Sequence, residues 1–330
     1  MTRAARPLLR PLVPAYRLAL GLREMQLRTG LKPVRRLRWP VVSIGNLSAG
    51  GAGKTPLTIA LAKALAARGV HVDVLSRGYG RRSRSARPLL VETSGTAQEF
   101  GDEPLVIARE AQVPVYVAAE RFEAGKLADG ASEQANEPAS QQTRVHLLDD
   151  GFQHRQLHRD VNILLLSSSD LADHLLPAGN LREPLHAAER ADAIVIPAEE
   201  PEVAAWIRSQ GWQKTIWLLR RKMDVPQIDG PVVAFCGIAR PEQFFAGLER
   251  AGLNISARFA FPDHHRYTAR DLEHIATEAR KASASALVTT EKDRVRLDAL
   301  VPNLPVITVP LRTEIEDEAS AVDWLMHRLT

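Results

Sequence analysis

The sequence predicts an α/β protein with a doubly wound, mostly parallel sheet, a second, smaller α/β domain and an N-terminal amphipathic helix. Short apolar runs alternate with helical patterns, as in parallel sheets whose strands are joined through helices. The chain has 330 residues, 45% of them hydrophobic, which is enough for two cores. We expect a basic segment at residues 1–38 and domains at 39–218 and 219–330.

Uninterrupted apolar runs mark the strands of the first domain. They are Pro40 to Ile44, Val70 to Leu75, Pro114 to Ala119, Val145 to Asp150, Val161 to Leu166 and Asp192 to Pro197. A helix over Thr55 to Arg68 has Leu57, Leu61 and Leu65 on one face, and Gly69 ends it.

The second domain repeats the alternation. The expected strands are "PVVAFCGI", "NISARFAF", "SALVTT" and "LPVITVP", and the expected helices are Pro241 to Arg250, one capped by Thr268 and Asp271, and Ala319 to Leu329. The pattern leaves open whether this last helix packs on the first domain.

The positive charge of the chain is concentrated at its start. Met1 to Pro40 carries ten Lys or Arg and one acidic residue, Glu24, for a net charge of +9. The remainder of the chain carries 33 Lys or Arg and 38 Asp or Glu, for a net charge of −5. Apolar residues recur there at helical spacing, namely Ala15, Leu18, Ala19, Leu22 and Met25. This pattern favours contact with an anionic membrane surface and argues against general nucleic-acid binding. A signal peptide and a helix packed on its own domain are the alternatives.

Other features limit the location of the chain. One cysteine, Cys236, excludes an internal disulfide and favours the cytosol. No apolar run reaches the about 20 residues of a transmembrane helix. The basic stretch Arg81 to Pro88 is expected to be a loop near bound phosphates or a solvated one, and the polar stretch Gly130 to Arg144 a mobile surface insertion.

A glycine-rich turn stands between the first strand and its helix. The P-loop pattern Gly-x-x-x-x-Gly-Lys-Ser/Thr aligns with Ser48 to Thr55, but Ser48 replaces the first glycine. Such a turn binds phosphate through backbone N–H groups and the helix N-terminus. The predicted nucleoside triphosphate site is formed by Ser48, Ala49, Gly50, Gly51, Ala52, Gly53, Lys54 and Thr55. Lys54 would contact the β- and γ-phosphates and Thr55 would bind Mg²⁺. The alternative is a glycine-rich turn that binds no nucleotide.

An acidic pair follows another strand of the first domain. "VHLLDDGFQH" ends its apolar run at Asp149 and Asp150. A P-loop site needs an acidic residue at such a strand end to organise the metal ion. The sequence does not decide which aspartate holds it.

Two further motifs carry candidate acid–base residues. Asp102 and Glu103 of "GDEP" precede an apolar helix, where they would in any case favour the helix dipole. "FPDHHRY" places His264 and His265 beside Asp263. A histidine near a carboxylate can orient and tune a general base.

Together these motifs resemble those of the tetraacyldisaccharide 4'-kinase family, the lipid A 4'-kinases of Gram-negative bacteria. They run in family order from Gly45 to Arg296: "GNLSAGGAGKTP", "SRGYGR", "GDEP", "DDGFQH", "LLPAGNLREP", "CGIARPEQF", "FPDHHRY" and "TTEKDRVR". The family commonly has Ser or Thr at position 48. The resemblance implies transfer of the γ-phosphate of ATP, with Mg²⁺, to the 4'-hydroxyl of a tetraacylated glucosamine disaccharide 1-phosphate, a lipid-A precursor.

The resemblance also assigns roles by position. It makes Lys54 a phosphate ligand and Asp102 the general base, assisted by His264. It implies the metal-binding residues Thr55, Asp149, Asp150 and Glu183, and the site-lining residues Arg77, Glu103, Arg121, Gln153 and His154. Asn180, where the family often has proline, and the polar insertion are not expected to touch the chemistry.

An acylated acceptor implies work at the cytoplasmic face of the bacterial inner membrane, as a peripheral protein with no transmembrane helix. Because His264 belongs to the second domain and Lys54 to the first, we expect the active site in the cleft between them, closing over ATP. No obligate protein partner is indicated. A P-loop kinase of a soluble small molecule and a membrane-recruited nucleotide switch are the alternative functions.

Overall fold

Two β-sheets with flanking helices make up the described part of the molecule. The structure, a computed structural model, describes residues 6–50, 53–81, 87–134, 143–297 and 304–329. The strands are β1 (Val41–Asn46), β2 (His71–Ser76), β3 (Leu89–Leu90), β4 (Val115–Val117), β5 (Arg144–Asp149), β6 (Val161–Leu165), β7 (Ala193–Pro197), β8 (Thr215–Met223), β9 (Pro231–Cys236), β10 (Asn254–Ala260), β11 (Ala286–Thr290), β12 (Val306–Val309) and β13 (Leu311–Ile315).

Helices connect most of these strands. They are α1 (Val13–Arg28), α2 (Lys54–Ala67), α3 (Ala97–Phe100), α4 (Asp102–Ala111), α5 (Arg121–Gln134), α6 (Ser168–Leu171), α7 (Pro201–Ser209), α8 (Pro241–Arg250), α9 (Ala269–Lys281), α10 (Glu291–Arg296) and α11 (Glu318–Leu329), with 3-10 turns at Pro7–Leu12 and Leu185–Arg190.

The first sheet has β1 at its centre. Within the described residues its nine strands run in the order β13-β8-β7-β6-β1-β5-β2-β4-β3, parallel except for β13 against β8 and β3 against β4. Every residue of β1 and β5 is buried, because helices cover both faces. Val42 and Ile44 point into one core and Val41 into another, on the opposite face. The predicted doubly wound, mostly parallel sheet is confirmed.

A smaller sheet follows in sequence. In the described part of the chain it has four parallel strands in the order β10-β9-β11-β12. Helix α9 begins at the predicted capping box of Thr268 and Asp271. Leu272 and Ile275 of α9 pack with Phe235 of β9 in its core. The second α/β unit is therefore confirmed.

The last strand and helix return to the first sheet. Ile315 of β13 and Leu325 of α11 lie in the same core as Ile44 of β1. Leu325 is fully buried, and burying one leucine contributes about 1.5–3 kcal/mol. The final helix thus packs on the first sheet, the arrangement that the sequence left open. The expected boundary at residue 218 lies inside β8, and the limits of the domains stay a prediction.

Helix α1 is attached to the first sheet by a few specific contacts. None of its residues is buried, and Val13 and Tyr16 pack against the core beneath it. The Tyr16 hydroxyl donates to the Arg182 carbonyl at 2.8 Å. Arg155 forms an ion pair with Glu24. These contacts fix the helix beside the ends of the central strands.

The apolar residues that predicted this helix do not face the protein. Leu18 is 66% exposed, Leu22 49% and Met25 51%. Leu8 and Leu31, just before and after the helix, are also exposed. No helix of the described residues is long and apolar enough to cross a membrane.

Several expected features lie wholly or partly outside the described residues. Helix α5 continues to Gln134, so the start of the polar stretch 130–144 is helical rather than part of a loop. Residues 135–142 of that stretch and 82–86 of the basic loop are outside the description, as are Gly51 and Ala52 of the P-loop.

Candidate active site

The P-loop connects the end of β1 to the start of α2. Gly50 and Gly53 have φ values of 104° and 94°, in the left-handed region that glycine adopts without strain. Lys54 is the first residue of α2 and is nearly buried. Its Nζ donates to Asn46 Oδ1 at 2.9 Å and lies 3.5 Å from Asp150 Oδ1. Thr55 follows, buried at the same helix end.

The first residues of the loop are held by the segment that carries "LREP". Ser48 forms an isolated β-bridge with Leu181, and the Ala49 N–H donates to the Asn180 carbonyl at 2.8 Å. The Asn180 backbone thus holds the P-loop, while its side chain donates to Asp173 Oδ2 at 3.0 Å, and the expectation that its difference from proline does not touch the chemistry stays a prediction. The Ala49 N–H therefore already has a hydrogen-bond acceptor within the protein.

The two aspartates at the end of β5 have different surroundings. Asp149 is buried and accepts hydrogen bonds from the hydroxyls of Thr58 (3.3 Å) and Ser76 (3.4 Å). Burial, with the nearby charges of Glu103 and Asp150, raises the pKa of Asp149 to about 7.

Asp150 instead has cationic partners. It accepts from Arg182 Nη1 at 2.9 and 3.1 Å, in addition to its contact with Lys54. Burial raises the pKa of Asp150, but the charges of Lys54 and Arg182 outweigh burial and leave it below its ordinary value.

Asp102 and His264 meet across the two sheets. Asp102 is the first residue of α4, and His264, in the loop after β10, places Nδ1 2.9 Å from Asp102 Oδ2. Arg296 of α10 donates from Nε to the same oxygen at 3.0 Å. No hydrogen bond to Asp102 Oδ1 occurs among the described residues.

These contacts set the charges of the pair. Burial raises the pKa of Asp102, but the hydrogen bond with His264 and the charges of Arg296, His264 and Lys292 lower it well below its usual range. The hydrogen bond to Asp102 raises the pKa of His264. The second histidine, His265, contacts Asp271 at 3.1 Å instead. The sequence-based pairing of Asp102 with His264 is thus present in the structure.

Glu103 is paired with a lysine from the second half of the chain, which was not among the predicted site residues. It forms an ion pair with Lys292, at the start of α10. The charge of Lys292, and to a smaller extent that of Lys54, lowers the pKa of Glu103. Lys292 and Arg296 both stand in the quoted motif "TTEKDRVR", which was the only signal that the sequence offered for them.

Arginines make one side of the site positive, and a neutral histidine lies among them. Arg121 is buried, its Nε has no hydrogen-bond partner in the described residues, and burial and the charge of Arg77 lower its pKa to about 10. Burial and the charge of Arg121 lower the pKa of His154 to about 3, so His154 is neutral. The negative charges of Asp149 and Asp150 act in the opposite direction to burial and raise the pKa of Arg121, so all three side chains lie near one another. An anionic ligand suits this surface.

Gln153 lies against the end of β1, and Glu183 follows Arg182 in the "LREP" segment. Gln153 donates from Nε2 to the Asn46 carbonyl at 2.9 Å and accepts from Arg182 Nη1 at 3.1 Å. Glu183 is buried and forms an ion pair with Arg190. The metal-binding role of Glu183 stays a prediction.

Comparison with known proteins gives one consistent result. Residues 5–330 match the family model described as "Tetraacyldisaccharide-1-P 4'-kinase" (LpxK). A tetraacyldisaccharide 4'-kinase from Koribacter versatilis is 42% identical over 327 residues, covering 96% of this chain and 97% of that protein. One from Geobacter metallireducens is 37% identical over 308 residues, covering 88% of each chain.

A solved structure agrees with these relatives. The crystal structure of LpxK from Aquifex aeolicus in complex with ATP has a TM-score of 0.75 and 30% identity, covering 99% of this chain and 100% of that one. The match thus extends over both sheets. The chain belongs to the tetraacyldisaccharide 4'-kinase family.

Proposed function

We propose that the protein transfers the γ-phosphoryl group of ATP to the 4'-hydroxyl of a tetraacylated glucosamine disaccharide 1-phosphate, in lipid A biosynthesis. Family membership and the names of the relatives support the reaction, and the ATP complex from Aquifex aeolicus supports the donor. The observation that carries the proposal is the 2.9 Å contact between His264 and Asp102, because it joins the second sheet to the P-loop part of the molecule.

The residues on the phosphate side can stabilise a loose transition state. Phosphoryl transfer depends on positioning and on neutralising charge that spreads over the phosphate oxygens. Lys54 lies at the helix start with its ammonium held in place, and Arg121, with Arg77 nearby, adds positive charge close to Asp149 and Asp150. These groups would bind the donor and the phosphate as it moves.

The aspartates at the end of β5, with Thr55, fit a Mg²⁺ site. Within the described residues no group of three or more His, Cys, Asp or Glu could hold a metal alone, so phosphate oxygens and water would complete the coordination. Bound there, the ion would supply charge neutralisation at the phosphates. We assign the metal to Asp149 rather than Asp150, because the hydrogen-bond partners of Asp149 are hydroxyls, whereas Arg182 and Lys54 compensate Asp150.

The Asp102–His264 pair would accept the proton. The bond between the γ-phosphorus and the β–γ bridging oxygen breaks, a bond to the 4'-oxygen of the acceptor forms, and the hydroxyl proton passes to the pair. Asp102 Oδ1 is available for that hydroxyl, since His264 and Arg296 both contact Oδ2. A base of low pKa suffices, because the proton leaves late in a loose transition state.

We further propose that α1 places the enzyme on the cytoplasmic face of the inner membrane. Leu18, Leu22 and Met25 project from the protein surface, among exposed arginines such as Arg17. An exposed apolar surface with basic residues suits the interface of an anionic bilayer, where the acyl chains of the acceptor lie. The contacts of α1 with Arg155 and Arg182 fix this surface relative to the active site.

The reaction is tested with the purified full-length protein, γ-labelled ATP and the disaccharide acceptor in micelles. We expect a labelled lipid, a loss of at least about 100-fold for Lys54→Ala, and no product from a 4'-deoxy acceptor. Phosphorylation of a soluble compound alone would favour the soluble-substrate alternative. Nucleotide binding without any phosphorylated lipid would favour a nucleotide switch.

Membrane contact is tested by sedimentation with vesicles that contain anionic phospholipid. Leu18→Glu should reduce the bound fraction, because it places a carboxylate within the exposed apolar surface. Leu127→Glu makes the same change at an exposed leucine of α5 and should leave binding unchanged. Equal binding of the two variants would contradict the role of α1.

A further inference from the structure

Asn46 is the last residue of β1 and is completely buried. Its Oδ1 accepts a hydrogen bond from Lys54 Nζ at 2.9 Å. Its Nδ2 donates to the carbonyl of Ser48 at 2.8 Å and to Ser48 Oγ at 3.1 Å. Lysine can only donate and a carbonyl can only accept, so the partners fix the orientation of the amide.

This arrangement explains why a serine can replace the first glycine of the P-loop. Ser48 is fully buried and forms its β-bridge with Leu181, so its backbone needs no freedom that only glycine has. Both its carbonyl and its hydroxyl are instead used as acceptors for Asn46. The start of the loop and the lysine at its end are thus tied to one side chain.

The amide is suited to hold a lysine that must bind phosphate. A free lysine side chain loses up to about 2 kcal/mol of rotamer entropy when it is fixed, and a lysine already held in place has lost much of it before the nucleotide arrives. The Asn46 oxygen is neutral, so it orients the ammonium without adding to the negative charge of Asp150, which lies 3.5 Å from the same Nζ. A carboxylate in the same place would form an ion pair and repel the phosphates.

We propose that Asn46 is a positioning residue that holds the Lys54 ammonium in place for the phosphates of the nucleotide by anchoring it to Ser48. The proposal rests on the function proposed above only in taking the nucleotide as donor. It does not depend on the acceptor.

The first test measures ATP affinity without acceptor, and then kcat and KM for each substrate. Asn46→Ala should weaken ATP binding and lower kcat/KM for ATP by about 10- to 100-fold, as expected for a lost hydrogen bond to a charged group. The KM for the acceptor should not change. Asn162→Ala, which removes an amide from the neighbouring strand β6, is the matched control and should leave ATP affinity within about twofold.

The second test asks whether Asn46 acts through Lys54. In a Lys54→Ala background, Asn46→Ala should have little further effect on ATP affinity, because residues that act as one unit are not additive. A residue with a merely structural role would lower affinity by the same factor in both backgrounds. Equal factors would therefore overturn the proposal.

A nearly isosteric variant decides the matter if Asn46→Ala does not fold. Asn46→Asp keeps an acceptor for Lys54 but loses both donors to Ser48 and adds a negative charge. It should weaken ATP binding by at least about tenfold while the protein remains folded. ATP affinity equal to that of Asn162→Ala would overturn the proposal. ATP affinity is measured without acceptor, so a wrong acceptor assignment would appear separately, as missing lipid product with normal ATP binding.

Discussion

Arg296 fixes the Asp102 carboxylate from the second sheet, and its replacement by methionine should reduce both stability and turnover. Its side chain is 5% exposed. It donates from Nε to Asp102 Oδ2 at 3.0 Å, and from Nη1 to the Gly237 carbonyl at 2.6 Å and to Asp293 Oδ1 at 3.1 Å. Methionine keeps much of the apolar volume and removes all of these hydrogen bonds.

The expected loss of stability follows from the buried carboxylates that Arg296→Met leaves behind. Removing one partner of a buried ion pair costs about 3–5 kcal/mol, because the other charge stays buried without compensation. Asp102 keeps its contact with His264, and Asp293 keeps the hydroxyl of Tyr267, so we expect about 3 kcal/mol. A domain is stable by only about 5–15 kcal/mol in total.

The assay is equilibrium unfolding in urea, together with the steady-state rate of phosphoryl transfer. Arg294→Met, on the same helix but exposed, is the matched control and should change neither quantity appreciably. For Arg296→Met we expect a clearly lower urea midpoint and at least about a tenfold loss of turnover, because the base loses its fixed position. Equal midpoints for the two variants, with turnover within about twofold of the unchanged protein, would refute the reasoning.

Three further predictions concern the same site. Asp149→Asn should weaken the Mg²⁺ dependence of ATP binding much more than Asp150→Asn does, and equal effects would contradict the metal assignment. Gly101→Ala should lower turnover about tenfold or more, because it would displace Asp102. The φ of Gly101 is +91°, and an added Cβ would lie 2.7 Å from the backbone oxygen of Tyr79. Unchanged turnover would show that the helix start can move and would contradict this prediction. The pKa of His264 is raised in the folded state, so its contact with Asp102 stabilises the fold fully below the unfolded pKa of about 6.5, and this contribution is lost as pH rises through the folded pKa. The stability difference between the unchanged protein and His264→Gln, measured by urea unfolding, should therefore be larger near about pH 5.5 than near about pH 8.5, and a constant difference would contradict it.

The buried parallel strands could be predicted because each of them is a continuous apolar run, but their order in the sheet could not. β8 was not predicted, since Arg220, Arg221 and Lys222 interrupt its pattern. Arg220 is accommodated by an ion pair with Glu316, which lies about a hundred residues away in sequence. β13 was also missed, because only Pro310 separates it from β12. Long-range pairing of this kind leaves no local signal.

Residues of the site could be predicted where they stand in a sequence motif that has one specific chemistry. The P-loop lysine and the Asp102–His264 pair stand in motifs whose chemistry is specific. Asn46, Lys292 and Arg296 were not selected, because asparagine, lysine and arginine occur on any surface, and only burial against a charged partner shows their role.

The path of the chain through the two sheets has a consequence for its synthesis. Leu325 and Val322 of α11 complete the core that also contains Leu57 and Leu61 of the P-loop helix. A ribosome delivers α11 only after the whole second sheet has emerged. Domains generally fold one after another as they are synthesised, but here the nucleotide-binding part lacks a piece of its own core until α11 has emerged. We expect nascent chains that stop before residue 311 to expose this core and to depend on chaperones, even though they contain the complete P-loop.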